Sequence, residues 1–366
     1  MAGREYDIYM KRALGLALKA EGMTSPNPLV GAVVVRSGRV VGEGYHHRAG
    51  MPHAEINALR KAGRLARGAV LYVTLEPCDH FGKTPPCTDA IIKSGIRKVV
   101  IGMKDPNPIN NGSGMRRLSR EGIEVVWGVC EGLAKNINKP YIKFVTTGLP
   151  FVTLKIAESL DGKIATATGQ SKWISNEQSR AYVNILRSGA DAVMVGINTV
   201  LNDDPMLLPK ATFRKERKRV IVDTNLRIPM NSKCVITAKK SPVIVATAKG
   251  RISRKRRLLG EKGVELVFLQ PKKGKVSLTC LMRELGEMGI VNVLAEGGGR
   301  LAGGLFDEGL VDRVVFFVAP MILGGEKAVT AVRGEGVKQI KDAIRAGNIF
   351  VKRFGDDVMI QGDIQR

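Results

Sequence analysis

Three side chains between positions 53 and 87 carry donors that suit a soft metal, His53, Cys78 and Cys87, and a carboxylate, Glu55, follows the first of them by two positions. One imidazole and two thiolates supply three ligands to a tetrahedral zinc ion and leave the fourth corner open for water. Water held there becomes ionisable near neutrality. Glu55 stands outside that donor set, placed to take a proton from the water and hand it to a departing amine, so the chemistry implied is hydrolytic loss of ammonia. Cys87 follows Cys78 by nine positions, and the intervening loop brings His80 and Lys83 beside the metal. An imidazole and an ammonium there suit an anionic group on the substrate. A closed structural zinc with His80 as fourth ligand would use the same residues. Structural sites usually present a close C-x-x-C pair and need no buried carboxylate, which favours the open, catalytic form.

The surrounding pattern has to position these groups. Tyr6, Tyr9, Met10, Ala13, Leu14, Ala17 and Leu18 recur at helical spacing and predict a first helix over 6–21. A proline-fixed loop follows, in which Asn27 offers a donor and acceptors to a ring, then a β-hairpin over 29–35 and 39–44. The period over 53–65 is helical and puts His53 and Glu55 in the first turn, at the positive end of the dipole. After a strand over 69–75, Pro77 suits the opening of a helix, which would place the Cys78 thiolate at a helix N-terminus as well. Strands over 98–102 and 123–127 flank a helix over 115–121. The stretch 135–148, with Asn136, Asn138, Pro140 and Gly148, reads as the connection between two domains, 1–147 and 148–366.

Beyond it the periodicity starts afresh: a strand over 149–157, a helix over 176–188, a strand over 192–196, a turn over 199–205, and strands over 219–223, 243–246, 291–295 and 313–318. Strands alternating with helices place both halves in the α/β class. After the strand ending at Ala295 comes Glu296-Gly297-Gly298-Gly299-Arg300-Leu301-Ala302-Gly303-Gly304, a glycine-rich loop opening a helix, where backbone N–H groups can meet a diphosphate. It is not the G-x-G-x-x-G word of dinucleotide folds, and glycine loops are common.

Length and composition bound these readings. A chain of 366 residues exceeds one ordinary core, and 44% hydrophobic with 25% charged residues is a globular composition. No run of about eighteen apolar residues and no N-terminal apolar stretch occurs, so a cytoplasmic protein without a membrane segment is expected. The five cysteines read as metal ligands and packed thiols, with Cys130, Cys234 and Cys280 in the second role. All four histidines, His46, His47, His53 and His80, fall in one short part of the chain, so the C-terminal half must run different chemistry. The net charge of +24 raises nucleic acid as a partner. The basic clusters near 214–219 and 251–257 lack interleaved aromatics, which make up only 5% of the chain, so phosphorylated small molecules fit the charge better and no nucleic-acid partner is expected.

The words Ser25-Pro26-Asn27-Pro28-Leu29-Val30-Gly31, His53-Ala54-Glu55 and Thr74-Leu75-Glu76-Pro77-Cys78-Asp79-His80-Phe81-Gly82-Lys83-Thr84-Pro85-Pro86-Cys87 resemble the deaminase half of the bifunctional riboflavin-biosynthesis deaminase/reductase family. Glu158-Ser159-Leu160-Asp161-Gly162-Lys163, the stretch 195–205 and the Glu296-Gly297-Gly298 loop resemble its reductase half. That resemblance implies an N-terminal cytidine-deaminase-like α/β/α domain and a C-terminal dihydrofolate-reductase-like α/β domain. It implies zinc on His53, Cys78 and Cys87 with Glu55 as the catalytic proton shuttle, Asn27 and His46 at the pyrimidine or ribose, and His80 with Lys83 at the ribose phosphate. For the reductase half it implies NADPH held by Ala157, Trp173, Thr199, Asp203 and the run Gly298, Gly299, Arg300, Leu301, Ala302, Gly303 and Gly304. Ser171, Arg187, Leu207, Lys210 and Glu296 would then face the substrate. Lys210 stands where the family usually has Arg, keeping the charge but not the bidentate fork. The expected partners are phosphorylated pyrimidines and further copies of the chain. A base deaminase acting on RNA with a basic second module is the competing enzyme reading, and a zinc-stabilised binding module the non-enzymatic one. No general acid for the reductase step emerges from the sequence.

Overall fold

The computed structural model describes residues 2–82, 85–208, 216–248, 250 and 254–365, and the chain divides into two units, 1–148 and 149–366. Unit one carries α1 (Ala2–Leu18), β1 (Gly31–Arg36), β2 (Arg39–Tyr45), α2 (Ala54–Ala62), β3 (Val70–Leu75), α3 (Cys87–Ser94), β4 (Lys98–Met103), α4 (Ser113–Arg120), β5 (Glu124–Trp127), α5 (Glu131–Ile137) and α6 (Lys139–Thr147). Its sheet runs β2-β1-β3-β4-β5, with β1 antiparallel to both neighbours and β3, β4 and β5 parallel. Val33, Val34, Leu71, Val73, Val99, Val100 and Ile101 have no exposed surface, so this sheet is covered on both faces.

Glycine decides how near the helices come. A side chain on Gly31 would strike the Ala13 carbonyl of α1, and one on Gly42 or Gly44 would strike the Ala58 or Ala54 carbonyl of α2. Gly44 pairs with Ala32, the neighbour of Gly31 along the strand, so the two helices lie on opposite faces of the sheet. Bare backbone on β2 thereby sets the depth of α2, whose first turn carries His53 and Glu55. The Asn57 amide adds a staple, donating to the Tyr45 carbonyl at 3.0 Å.

Unit two is organised on one nine-stranded sheet. Its strands are β6 (Phe151–Ser159), β7 (Ala192–Gly196), β8 (Lys218–Val222), β9 (Val243–Thr247), β10 (Val264–Phe268), β11 (Asn292–Glu296), β12 (Arg313–Ala319), β13 (Ala346–Phe354) and β14 (Asp357–Ile364). The order is β10-β9-β8-β7-β11-β6-β12-β14-β13, parallel from β10 to β12 and antiparallel over the last two strands. Helices α7 (Glu177–Gly189) and α8 (Gly299–Asp307) pack on it, α7 capped by the Asn176 side chain accepting from the Ser179 N–H.

Three local expectations need correction. The stretch 135–148 is no connection but the end of α5 and all of α6, with Asn138 and Tyr141 buried. Pro140 sits in the first turn of α6, where a missing N–H costs nothing, and the Asn138 side chain bonds both the N–H and the carbonyl of Leu29. The predicted turn over 199–205 is the latter part of a helix, Ile197–Asp203, held by buried Ile197 and Val200 and ended by Asp204 in the left-handed region. Pro77 opens no helix; the described residues that follow it are irregular as far as Cys87, the first residue of α3. β10, β13 and β14 were not expected. Among the described residues no helix is long and apolar enough to cross a membrane.

Candidate functional site

Cys78 leaves the carboxyl end of β3, His53 stands at the start of α2 and Cys87 at the start of α3. Their ligating atoms lie within 4.8 Å of one another, His53 Nδ1 at 3.2 Å from Cys87 Sγ and 3.5 Å from Cys78 Sγ. Cys78 does sit at a helix N-terminus, but at that of α3: its sulfur accepts the Cys87 backbone N–H at 3.3 Å. Hydrogen bonding from Cys87, with help from His53, overrides burial and holds Cys78 down at about 4. Cys78 hydrogen bonding first, opposed by burial, raises His53. Glu55 is buried, its Oε2 has no hydrogen-bond partner among the described residues, and burial pushes its carboxyl up to about 7 despite the opposing charge of His53. A buried carboxylate with an idle oxygen beside a His/Cys/Cys triangle fits zinc and a water that needs a proton acceptor, so these residues suit the ion.

Residues that sequence reasoning passed over hold this loop. The buried Glu76 carboxylate accepts the N–H groups of Asp105, Gly112 and Gly114 at 3.1, 2.9 and 3.1 Å. Asp79 accepts from Thr88 at 2.8 Å and from Arg117 at 2.7 Å, while Arg117 also reaches Asp89. His46 is buried and lies edge-on to His53, centroids 5.3 Å apart; burial lowers its pKa. The Pro52 carbonyl faces its Nδ1 at 3.3 Å and the Asn27 amide its Nε2 at 3.0 Å, the pattern of a neutral ring protonated on Nδ1. Asn27 and His46 are thus brought to the metal triangle. His80 is half-buried, its Nδ1 without a partner among the described residues, and Lys83 lies outside them.

In unit two, Arg187 of α7 forks onto Glu296 at the end of β11, with contacts of 2.7 and 2.8 Å. Burial pulls Glu296 upward, but the hydrogen bonds and charge of Arg187 outweigh it and hold the carboxyl below its usual range. Lys155, on β6, stands in register opposite Glu296, and its ammonium is 5.9 Å from the Phe317 ring. Burial lowers its pKa, against the attraction of Glu296. Lys155 escaped the sequence reading because one Lys in a strand looks like a solvent-facing alternation; only the register reveals it.

A second cluster gathers at the carboxyl end of β7. The Ser171 hydroxyl reaches Asp203 at 3.3 Å, the Lys172 ammonium lies 3.5 Å from the same oxygen, and the Trp173 indole is two-thirds exposed with Arg180 stacked on it at 4.4 Å. Thr199 shares the Ile197–Asp203 helix. Ala157 pairs with Phe317 across β6 and β12. Gly298 is the N-cap of α8 at the end of β11; Gly299 is buried against the Thr330 carbonyl and Arg300 is exposed, and a helix N-terminus of this kind suits a diphosphate. Further along the run, the Leu301 and Ala302 side chains are buried in the core and Gly303 packs against the Arg333 carbonyl. Leu207 is likewise buried, and Lys210 falls outside the described residues.

Residues 150–360 match the RibD C-terminal domain family, and residues 4–103 the zinc-binding region of cytidine and deoxycytidylate deaminases. The chain belongs to the RibD family. The riboflavin biosynthesis protein RibD of Aquifex aeolicus (strain VF5) is 46% identical over 98% of each chain, and that of Escherichia coli (strain K12) 38% identical over 97% of this chain and 98% of its own. The solved RibD of Acinetobacter baumannii (form 1) superposes with a TM-score of 0.89 at 36% identity, covering all of both chains. The diaminohydroxyphosphoribosylaminopyrimidine deaminase/5-amino-6-(5-phosphoribosylamino)uracil reductase of Thermotoga maritima gives 0.88 at 36%, again over both whole chains. Both expected fold classes hold within the RibD frame: a cytidine-deaminase-like N-terminal part and a dihydrofolate-reductase-like C-terminal part.

Proposed function

We propose the following division of labour for this bifunctional deaminase and reductase of riboflavin biosynthesis. The domain with zinc chemistry, 1–147, hydrolyses the ring amine of 2,5-diamino-6-ribosylamino-4(3H)-pyrimidinone 5′-phosphate. The second, 148–366, reduces the ribosyl chain of 5-amino-6-(5-phosphoribosylamino)uracil to ribityl. His53, Cys78 and Cys87 hold zinc, which when bound supplies an acidified water. Glu55 takes the proton at its idle Oε2 and returns it to the departing amine. Asn27, oriented by the neutral His46, recognises the pyrimidine or ribose, and His80 with Lys83 grips the phosphate. The buried Glu55 Oε2, without a partner among the described residues and beside the triangle of ligands, is the single observation that carries this half.

NADPH, when bound, supplies the hydride. Ala157, Trp173, Thr199, Asp203 and the helix opening from Gly298 hold it, with Leu301 to Gly304 shaping that opening from behind. Arg187 and Glu296, fixed by their mutual fork, together with Ser171, Leu207 and Lys210, position the ribosyl phosphate. Lys155, a half-buried lysine opposite Glu296, donates the proton taken up by the ribosyl oxygen as C1′ is reduced. Following absorbance with NADPH tests the sequence of steps. The diamino substrate should drive NADPH oxidation only in zinc-loaded protein, and the deaminated one in zinc-free protein too; oxidation from the diamino substrate without zinc would refute the order.

A second copy of the chain is the expected partner at β13. This nine-residue strand ends the sheet, with Ile349, Phe350 and Val351 more than half exposed. An apolar unpaired edge of that length invites strand pairing. Light scattering should report a dimer that Val351→Lys converts to monomer; an unchanged mass would remove this edge from the interface.

A further inference from the structure

At the far end of the unit-one sheet, two strands from the zinc ligands, lies a cavity of about 510 Å3 lined by Lys104, Gly112, Met115, Arg116, Arg120 and Trp127 among others. Trp127 is the last residue of β5 and Lys104 follows the last residue of β4, so the cavity opens at the carboxyl ends of parallel strands, where α/β sheets take their ligands. Met115 and Val125 give it an apolar floor, and the Trp127 indole is 58% exposed. Gly112 leaves bare backbone there, and a methyl on it would lie 2.9 Å from Arg116 Nη1 and 3.6 Å from Lys104 Nζ, so two cations converge on one spot.

Like charges that share so small a neighbourhood repel unless an anion offsets them. Arg117, on the same helix, is neutralised by Asp79 and Asp89, whereas no carboxylate pairs with Lys104, Arg116 or Arg120 among the described residues. The α4 N–H groups at Gly114 and Met115 are already taken by Glu76, so the anion's partners are the side chains. We propose that this cavity is a further binding site of unit one, for a phosphorylated planar heterocycle of mononucleotide size, with the ring on Trp127 and the phosphate between Lys104 and Arg116. A single aromatic in a hollow of this size favours one nucleotide over a strand, which needs successive stacking platforms.

Only two tryptophans occur in the chain, so Trp173→Phe leaves Trp127 as the sole indole reporter. With NADP+ saturating, 5′-AMP should quench that fluorescence saturably, adenosine should not, and Lys104→Ala/Arg116→Ala should weaken the 5′-AMP effect roughly tenfold or more. Unchanged zinc content in the double variant shows that unit one has folded. The site is overturned if quenching never saturates, if adenosine quenches equally, if the double variant binds as before, or if a single-stranded oligoribonucleotide binds through the same residues more than roughly tenfold tighter than 5′-AMP.

Discussion

The two candidate catalytic centres are built on opposite plans. In unit one, His53, Glu55, Cys78 and Cys87 come from 35 consecutive positions, 53–87, two of the ligands at helix starts and one in the loop after β3. In unit two, Lys155, Arg187 and Glu296 come from β6, α7 and β11, and meet only because a parallel sheet sets β6 and β11 side by side. A metal demands particular donor atoms and writes them into the sequence. A hydride-transfer site demands a crevice, backbone N–H groups and a few buried charges, which many residue patterns can supply.

The contrast predicts that the two centres fail independently, with the largest failure in unit one. Glu55→Gln keeps the shape and removes the proton acceptor, so deamination should fall by roughly a thousandfold or more while zinc content and reduction of the deaminated substrate stay as they were. Surviving deamination would make Glu55 a structural residue. In unit two the largest effect should be on folding. Arg187 and Glu296 side chains are only 21% and 11% exposed, so Arg187→Met strips a largely buried carboxylate of both its fork contacts and leaves it only the attraction of Lys155, which should cost on the order of 3 kcal/mol. Thermal unfolding should show the loss in unit two alone, and a shift in the zinc-bound unit would break the independence.

Lys155→Met asks a narrower question. If its ammonium supplies the proton, reductase kcat should drop by roughly a hundredfold with little change in the NADPH KM and none in deamination. A change confined to KM would make Lys155 a binding residue instead. The same residue marks where the sequence stopped being readable. The His53, Glu55, Cys78 and Cys87 set was visible because chemistry restricts the residue types, and the glycine loop because backbone restricts them. Lys155 was hidden in Thr153-Leu154-Lys155-Ile156, where its partner lies 141 positions away. Asn138 and Pro140 read as breakers because their partners, Leu29 and the α6 first turn, are tertiary or positional facts. Cys78 was assigned to a helix start for its own Pro77, when the N–H it uses belongs to Cys87. β13 has no alternation to read, since nearly every residue in it is exposed.

The smallest expected effect concerns Asp161, in a motif that carried resemblance but no chemistry. Its carboxylate accepts the Ser159 hydroxyl at 2.6 Å and the N–H groups of Leu323 and Gly324 at 3.0 and 2.8 Å, tying the loop after β12 to the end of β6. The Ser159 hydrogen bond first, then the backbone donors, hold its pKa down at about 2 against an ordinary 3.8. A depressed carboxyl stabilises the fold fully above its unfolded value and loses that contribution as pH falls through the folded one. The Tm gap between the native chain and Asp161→Asn should therefore be constant above about pH 5 and narrow as pH is lowered through 3.8 toward 2. Because Asp161 touches neither the Arg187–Glu296 fork nor the zinc ligands, deamination should not follow that curve. A gap that ignores pH would mean the loop is held by packing, and a deamination rate that tracks it would mean that the two centres share more than a chain.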